Sequence, residues 1–220
     1  REAQDAFAKA SYEKALAAQS AGLFNDEIVA VEVPQRRGEP VRVEHDEEPG
    51  RGRPDKMAKL RPAFERDGTI TAANASSIND GAAALVIASA EFAAAHQLPV
   101  LATLKAATQH AQEPEWFTTA PAFAMQTLLR GANLTPTDID LYEVNEAFSV
   151  VSLACNQIAE LPVERVNVHG GAVSLGHPIG ASGARILVTL LYAMKARNAQ
   201  RGVASLCIGG GEAVAVLVER

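Results

Sequence analysis

The sequence predicts an α/β fold built in layers, on two observations. From Leu98 onward, apolar stretches of strand length alternate with longer apolar stretches typical of helices. The 220 residues are 48% hydrophobic and 21% charged, the composition of a globular chain that can bury a sizeable core. We therefore expect one or two domains, the later part being a layered sheet with helices packed against it.

The expected elements follow in order along the chain. Ala3, Phe7, Ala10 and Leu16 form an apolar stripe of approximately helical spacing, which predicts a helix at the start. The charged, Gly- and Pro-rich segment 35–54 predicts an exposed hairpin or excursion. The apolar run 82–89 predicts a strand covered on both faces, followed by a helix over 90–96. The alternation then predicts strands at 100–106, 140–144, 166–169, 202–208 and 213–218, and helices at 121–131, from Ala147 and from Ala184.

Charge, apolar runs and cysteines narrow the class of protein. The net charge of −6 provides no basic surface typical of nucleic-acid binding, and no apolar run reaches the length of a transmembrane helix. Cys155 and Cys207 lie more than fifty residues apart, outside any CxxC or Cys/His cluster. We expect no disulfide framework, no zinc site and no membrane partner, and a reducing compartment, the cytoplasm.

The most informative segment runs from Gly170 to Arg185 and reads Gly-Gly-Ala-Val-Ser-Leu-Gly-His-Pro-Ile-Gly-Ala-Ser-Gly-Ala-Arg. It places His177 in a glycine-rich bend ahead of an apolar helix. Glycines let the backbone turn sharply and approach a ligand, and the N-terminus of the following helix favours an anion. A His-Pro turn by itself is more typical of a structural role, so a functional interpretation depends on two other segments.

Both of these segments lie where a predicted strand gives way to a loop. Asn-Glu-Ala-Phe at 145–148 follows the apolar run 139–144, and Cys-Ile-Gly-Gly-Gly at 207–211 ends the run 202–206. Together with Gly-His-Pro at 176–178, these signatures have the order and spacing of the thiolase family, which the chain resembles over nearly its whole length. The resemblance implies a thiolase-like layered fold, of which this chain supplies the C-terminal half and part of the loop domain.

The resemblance also divides the chain into three parts. Residues 1–76 resemble part of the loop domain, the region that binds coenzyme A, and 77–97 the end of the N-terminal half, with one strand and one helix. Residues 98–220 resemble the C-terminal domain. Thiolases use two cysteines, and the one that becomes acylated belongs to a region upstream of anything present here. We therefore expect the chain to need the missing N-terminal thiolase half as a partner and to be inactive without it.

The implied activity is that of an acetyl-CoA acetyltransferase, which catalyses the reversible Claisen condensation and thiolysis of short-chain 3-ketoacyl-CoA thioesters. Acetyl-CoA or another acyl-CoA is then the substrate, so we expect no separate cofactor and no metal. The intact enzyme is expected to be a homo-oligomer, a dimer or a tetramer. Two alternatives stay open: a degradative 3-ketoacyl-CoA thiolase that takes longer chains, and a non-catalytic subunit that binds coenzyme A or serves assembly.

Four residues are the catalytic candidates. Removing a proton next to a thioester carbonyl requires a base and donors for the enolate oxygen. The resemblance makes Cys207 this base, as a thiolate, and pairs His177 with the acyl-accepting cysteine. It places His177 and a water held by Asn145 in one oxyanion site, and the N–H of Gly209 in a second. The structural alternatives are a small buried residue for Cys207 and a helix cap for Asn145, although three glycines after Cys207 favour a position where backbone meets ligand.

Six residues are candidates for contacts with the substrate. The resemblance gives Ser76 a hydrogen bond to pantetheine and lets Phe148 line the acyl pocket. Arg51 is nearest to where the family carries an arginine for the nucleotide, a role that suits bidentate pairing, although a solvated charged loop is the alternative. Ser77 and the turn 117–121 depart from short-chain members, which leaves the acyl-chain preference open. The full set is Ser76, Ala72, Ala73, Ala147, Phe148 and Arg51.

Overall fold

A long helix opens the chain. In the structure, a computed structural model that describes residues 1–220, helix α1 covers Glu2–Ser20, so the predicted first helix is confirmed. The predicted stripe is wrong, because Leu16 is exposed and the buried side carries Ala8, Ser11 and Ala15. Small side chains on this side let α1 lie close to the backbone of a neighbouring turn, where a Cβ on Gly170 would collide with Ser11 and Ala15.

An exposed hairpin follows α1. Strands β1 (Val31–Val33) and β2 (Val41–Val43) pair antiparallel, and all of their residues are exposed. The short helix α2 (Glu48–Arg51) and a 3-10 turn at Pro54–Lys59 come next. The prediction of an exposed hairpin or excursion over 35–54 is confirmed.

Residues 82–89 form no strand, which corrects the sequence prediction. The run is irregular up to helix α3 (Ala90–Ala95), which begins where the Ser89 hydroxyl accepts the Phe92 N–H at 3.1 Å. Val86 is 95% exposed and Ile87 81%, and only Ala83 and Leu85 are half-buried, so the run is not covered on both faces. A strand needs a neighbour to pair with its backbone N–H and C=O groups, and no strand of this chain lies beside these residues.

A four-stranded sheet forms the centre of the second half. Its strands are β3 (Thr103–Ala111), β4 (Leu141–Val144), β5 (Arg201–Ile208) and β6 (Glu212–Glu219). They lie in the order β3-β6-β5-β4, and only β4 and β5 run parallel to each other. β3 is shifted towards the C-terminus relative to the predicted strand 100–106, because its bounds are set by pairing along the whole of β6. Its second half contains Thr108, Gln109 and His110, polar residues that give no apolar signal in the sequence.

Helices cover both faces of this sheet. They are α4 (Ala120–Ala132), α5 (Ser149–Ile158) and α7 (Ser182–Arg197), whereas the single turn α6 (Ala172–Leu175) packs against α1. Successive strand residues point to opposite faces. Tyr142 and Val144 therefore join the core under α4 and α5, whereas Leu141 and Ala204 join the core under α7. The predicted layered α/β fold is confirmed.

The predicted strand at 166–169 is replaced by isolated bridges. Asn167 has a left-handed backbone, with φ of 46°, which interrupts an extended chain. Its side chain takes over the pairing: the carboxamide oxygen accepts the Val144 N–H, and the amide nitrogen donates to the Val144 carbonyl, both at 2.8 Å. A side chain thus pairs with the outer edge of β4 where the prediction placed a strand.

None of the helices combines the length and apolar character that crossing a membrane requires. Exposed apolar side chains are instead concentrated in the irregular region that ends at β3. They are Ile78, Val86, Ile87, Phe92, Leu98, Val100 and Leu101. Large apolar side chains exposed in this number within one segment are typical of a face that another protein segment covers.

The 220-residue chain should therefore bind a hydrophobic dye. The double variant Val86→Ser, Ile87→Ser should lower the dye fluorescence about twofold and leave the melting temperature unchanged, because these side chains are almost fully exposed. Val163→Ser, an exposed valine on a separate 3-10 turn, is the matched control and should change neither quantity. Absence of dye binding by the unaltered chain would contradict the expectation.

Candidate active site

Two of the predicted catalytic residues lie at the same end of neighbouring parallel strands. Val144 of β4 pairs with Ser205 of β5, and the N–H of Asn145 donates to the Ser205 carbonyl at 2.9 Å. Cys207 lies two residues further along β5 and is half-buried. Ligands of open α/β sheets bind in the crevice beyond the carboxyl ends of the strands. The sheet thus brings Asn145 and Cys207 together at the carboxyl ends of β4 and β5.

A glycine turn brings His177 to the same place. Gly176, with φ of 94°, follows α6, and a Cβ there would collide with the side chain of Asn79. The His177 N–H donates to the Ser77 carbonyl at 2.9 Å, which fixes the backbone. The imidazole then has a partner on each side: Nε2 is 3.4 Å from Asn145 Nδ2, and Nδ1 is 2.6 Å from the Ser182 hydroxyl.

Burial holds both reactive groups in their neutral forms. It lowers the pKa of His177, and the positive charge of Arg185 lowers it further. Burial raises the pKa of the Cys207 thiol. At neutral pH the site therefore presents an uncharged imidazole and a thiol that keeps its proton until a reacting group takes it.

Cys155 and Gly209 lie in contrasting environments, the first fully buried and the second exposed. Cys155 is fully buried in the core under α4 and α5, and burial raises its pKa to about 12, so it is an inert core residue as the sequence indicates. Gly209 lies in the exposed turn between β5 and β6, where an added Cβ would meet no atom within 4 Å. Open space therefore lies next to the backbone that follows Cys207.

Most candidate substrate residues form a second group around Ala147. The backbone N–H and the hydroxyl of Ser76 both donate to the Ala147 carbonyl, at 3.1 and 2.8 Å. Phe148 is half-buried, with its ring centroid 6.3 Å from that of Phe64 in an edge-on arrangement. Ala73 is half-buried and Ala72 exposed on the turn before Ser76. The segment 72–76 is therefore fastened directly to the residues that follow Asn145.

Arg51 lies apart from this group. It is exposed on α2, and its guanidinium is paired with Glu47 and with Glu48, the latter at 2.9 Å. Glu48 in turn accepts a hydrogen bond from the Ser77 hydroxyl at 3.3 Å. A nucleotide at Arg51 would have to compete with these two carboxylates.

Glu146 has a role that the sequence analysis did not assign. Its buried carboxylate accepts hydrogen bonds from the Ser11 hydroxyl at 2.7 Å, the Asn167 amide at 2.9 Å and the Val173 N–H at 3.1 Å. These donors come from α1, from the segment after α5 and from α6. A Cβ on Gly171 would collide with this carboxylate, so the glycine pair before α6 makes room for it. Glu146 thus joins three segments next to Asn145.

Ser182 and Arg185 were also missed as single residues, although both lie inside the segment that contains His177. They are three residues apart at the start of α7, a spacing that places two side chains on one face of a helix. Ser182 contacts His177, and Arg185 Nη2 donates to Asn145 Oδ1 at 3.4 Å. The spacing was the signal that could have found them.

Comparison with known families decides the assignment. A model described as thiolase, C-terminal domain, matches residues 98–220, and one described as thiolase, N-terminal domain, matches residues 1–91. The chain belongs to the thiolase family. Its predicted relationship to thiolases is confirmed, and the three signatures lie within the matched ranges.

Curated thiolase relatives match the whole chain. An acetyl-CoA acetyltransferase from Cupriavidus necator is 52% identical, and acetyl-CoA acetyltransferase 2 from Arabidopsis thaliana is 53% identical. Both alignments cover 100% of this chain, but only 56% and 55% of those relatives. The chain therefore spans about half the length of the curated thiolases it matches.

Solved thiolase structures share the fold over the whole chain. The acetyl-CoA acetyltransferase of Bacillus anthracis superposes with a TM-score of 0.96 at 42% identity, and covers all of this chain with 56% of its own. A thiolase from Ascaris suum, solved in complex with coenzyme A, gives 0.90 at 45% identity with the same coverage. Human mitochondrial 3-ketoacyl-CoA thiolase gives 0.90 at 34% identity, over 55% of its chain.

Replacing Glu146 should destabilise the fold without touching the reacting residues. Glu146→Gln puts an amide N–H₂ among three donors, so we expect a loss of about 3 kcal/mol, or roughly 6–12 °C in melting temperature. Glu164→Gln, at an exposed glutamate, is the control and should shift the melting temperature by less than about 1 °C. Equal melting temperatures for the two variants, measured by circular dichroism, would show that the carboxylate is not needed.

Proposed function

We propose that this chain is the C-terminal portion of a short-chain thiolase, an acetyl-CoA C-acetyltransferase that catalyses reversible Claisen condensation and thiolysis. The observation that carries the proposal is the convergence of Cys207, Asn145 and His177 at one edge of the sheet. The names of the relatives at about half identity support it. Coenzyme A thioesters are the substrates, and the proposal includes no separate cofactor and no metal.

Cys207 serves as the acid and base of the carbon–carbon bond step. In condensation Cys207 acts as its thiolate, which its raised pKa makes the minor form at neutral pH. The thiolate removes a proton from the methyl carbon of acetyl-CoA, and the enolate carbon attacks the acyl group carried by a cysteine of the N-terminal half. The C–C bond forms, the C–S bond to that cysteine breaks, and the proton on Cys207 returns to the departing thiolate. The raised pKa of Cys207 suits thiolysis, in which a thiol must protonate the acetyl-CoA enolate.

Hydrogen-bond donors stabilise the enolate and the tetrahedral intermediate. In this proposal one oxyanion site is formed by His177, with its proton on Nε2, and by a water that accepts the Asn145 amide N–H in place of the present contact with Nε2. The N–H of Gly209, with open space beside it, contributes to the other site. Ser76, Ala72, Ala73, Ala147, Phe148 and Arg51 contact the thioester substrate.

The proposal also specifies partners. An N-terminal thiolase half supplies the acyl-accepting cysteine and covers the exposed apolar residues around Val86. The assembled enzyme is a homo-oligomer in the cytoplasm. A chimera allows tests: residues 1–220 replace the matching 56% of the Cupriavidus necator relative, which supplies the remainder.

Chain-length preference tests the short-chain assignment. In the chimera, kcat/KM for thiolysis of acetoacetyl-CoA should exceed that of 3-ketopalmitoyl-CoA by about tenfold or more, because Phe148, which packs edge-on against Phe64, lines the acyl pocket in this proposal and restricts the acyl chain. Phe148→Ala should narrow this ratio. A reversed ratio would assign the chain to longer-chain 3-ketoacyl-CoA thiolases, and coenzyme A binding with no turnover would assign it to non-catalytic subunits.

Separate replacement of the two cysteines tests the base. In the chimera, Cys207→Ala should allow acetylation of the N-terminal half's cysteine by acetyl-CoA, detected by mass spectrometry, yet lower condensation by about a thousandfold, because proton removal is lost. Cys155→Ala, at the inert core cysteine, should keep condensation within about threefold of the unaltered chimera. Normal condensation in Cys207→Ala would show that another group is the base.

A further inference from the structure

We propose that Arg185 is a positioning residue: it fixes the orientation of the Asn145 side-chain amide, so that the amide nitrogen faces His177. The inference rests on the proposed function for its kinetic consequences and on geometry for its structural part. It gives a role to a partly buried cation that the reaction scheme does not use.

The contacts of Asn145 define the orientation. Its side chain is buried, with Oδ1 3.4 Å from Arg185 Nη2 and Nδ2 3.4 Å from His177 Nε2. An amide can be turned by half a rotation with little change in shape, which exchanges its oxygen and its nitrogen. A guanidinium only donates hydrogen bonds, so a rotated amide would set donor against donor at Arg185. The cation therefore selects the orientation in which the nitrogen faces His177.

Helix α7 delivers both contacts from one face. Ser182 approaches His177 Nδ1 at 2.6 Å, and Arg185, one turn later, approaches Asn145. The imidazole is thus held on Nδ1 directly by α7, and on Nε2 by an amide that α7 orients. One rigid helix of 16 residues sets the geometry of both His177 nitrogens.

Glu143 lies on the other side of Arg185 without forming a close pair with it. The shortest approach is 3.9 Å between Arg185 Nη1 and Glu143 Oε2. Neither Glu143 Oε1 nor Arg185 Nε and Nη1 has a hydrogen-bond partner. Burial raises the pKa of Glu143 to about 8, although the positive charge of Arg185 lowers it in part. The one hydrogen bond that the guanidinium donates within this cluster therefore goes to Asn145.

Other charged groups face this cluster from the first half of the chain. Glu27, whose carboxylate accepts a hydrogen bond from Thr189 of α7 at 3.0 Å, and Asp46 both have a pKa raised by burial and lowered in part by Arg185. Lys14, also from the first half, lowers the pKa of Glu143, whereas Glu146, from the second half, raises it. For His177 itself, Arg185 is the charge that lowers the pKa, in addition to burial.

Two substitutions in the chimera separate the charge of Arg185 from its shape. Arg185→Lys keeps the charge but loses the planar fork, whereas Arg185→Gln loses both. We expect kcat for thiolysis of acetoacetyl-CoA to fall about tenfold or more in both variants, with KM within about threefold. Arg130→Gln, at an exposed arginine of α4, is the control and should leave kcat unchanged.

The pKa of His177 provides a readout that does not depend on turnover. It can be measured residue by residue from deuterium exchange at the imidazole C2 position with mass spectrometry. A nearby positive charge disfavours the imidazolium, so Arg185→Gln should raise the pKa of His177 and Arg185→Lys should leave it nearly unchanged. The acid limb of the kcat profile should move to higher pH in Arg185→Gln alone. His169, buried against Phe24 and next to Arg197, is the internal control and should not shift.

A double-mutant cycle covers the case in which a single variant folds poorly. Asn145→Asp presents an oxygen to His177, and its effect on kcat should be largely lost in the Arg185→Gln background if both substitutions disrupt one interaction. Additive effects, or unchanged kcat in both Arg185 variants, would overturn the positioning role. A chimera that lacks thiolase activity but shows the expected His177 shifts would reject the proposed function and keep the placement of Arg185.

Discussion

The buried carboxylate of Glu146 is the interaction on which the site's geometry depends. It collects donors from α1, from Asn167 and from α6, segments that are far apart in the sequence. The residue directly before it, Asn145, ends β4 and faces His177. A buried carboxylate must have such donors, because an unpaired buried charge is costly. The requirement to satisfy Glu146 therefore also fixes the position of its neighbour.

Burial also sets the chemistry of the site, because it acts in opposite directions on its two reactive groups. The thiol of Cys207 gains a higher pKa and the imidazole of His177 a lower one, so both favour their uncharged forms. Because neither group is charged, a proton can pass between the site and a substrate without a preformed ion pair of Cys207 and His177. The positive charge of Arg185 favours the uncharged imidazole of His177, and its guanidinium also donates a hydrogen bond to Asn145.

Much of the fold and part of the site follow from the sequence. The signatures at 145–148, 176–178 and 207–211 indicated strand ends and a tight turn. The structure brings Asn145, His177 and Cys207 to the carboxyl ends of the parallel strands β4 and β5. The apolar pattern did not reveal which residues hold them. Glu146 acts through long-range hydrogen bonds that no local pattern encodes, and the only local signal for Arg185 is its three-residue spacing from Ser182. The run 82–89 has a strand's composition but lacks a partner, and pairing is a tertiary property.

The side chain of Asn167 has a consequence for how the sheet can grow. β4 is an outer strand, and the outward N–H and C=O of Val144 are both occupied by the Asn167 carboxamide, while the Asn167 N–H donates to the Tyr142 carbonyl. A strand from another molecule would find these backbone groups already engaged, which protects the edge from aggregation by strand addition. Extension of the sheet between molecules is left to the opposite edge, at β3.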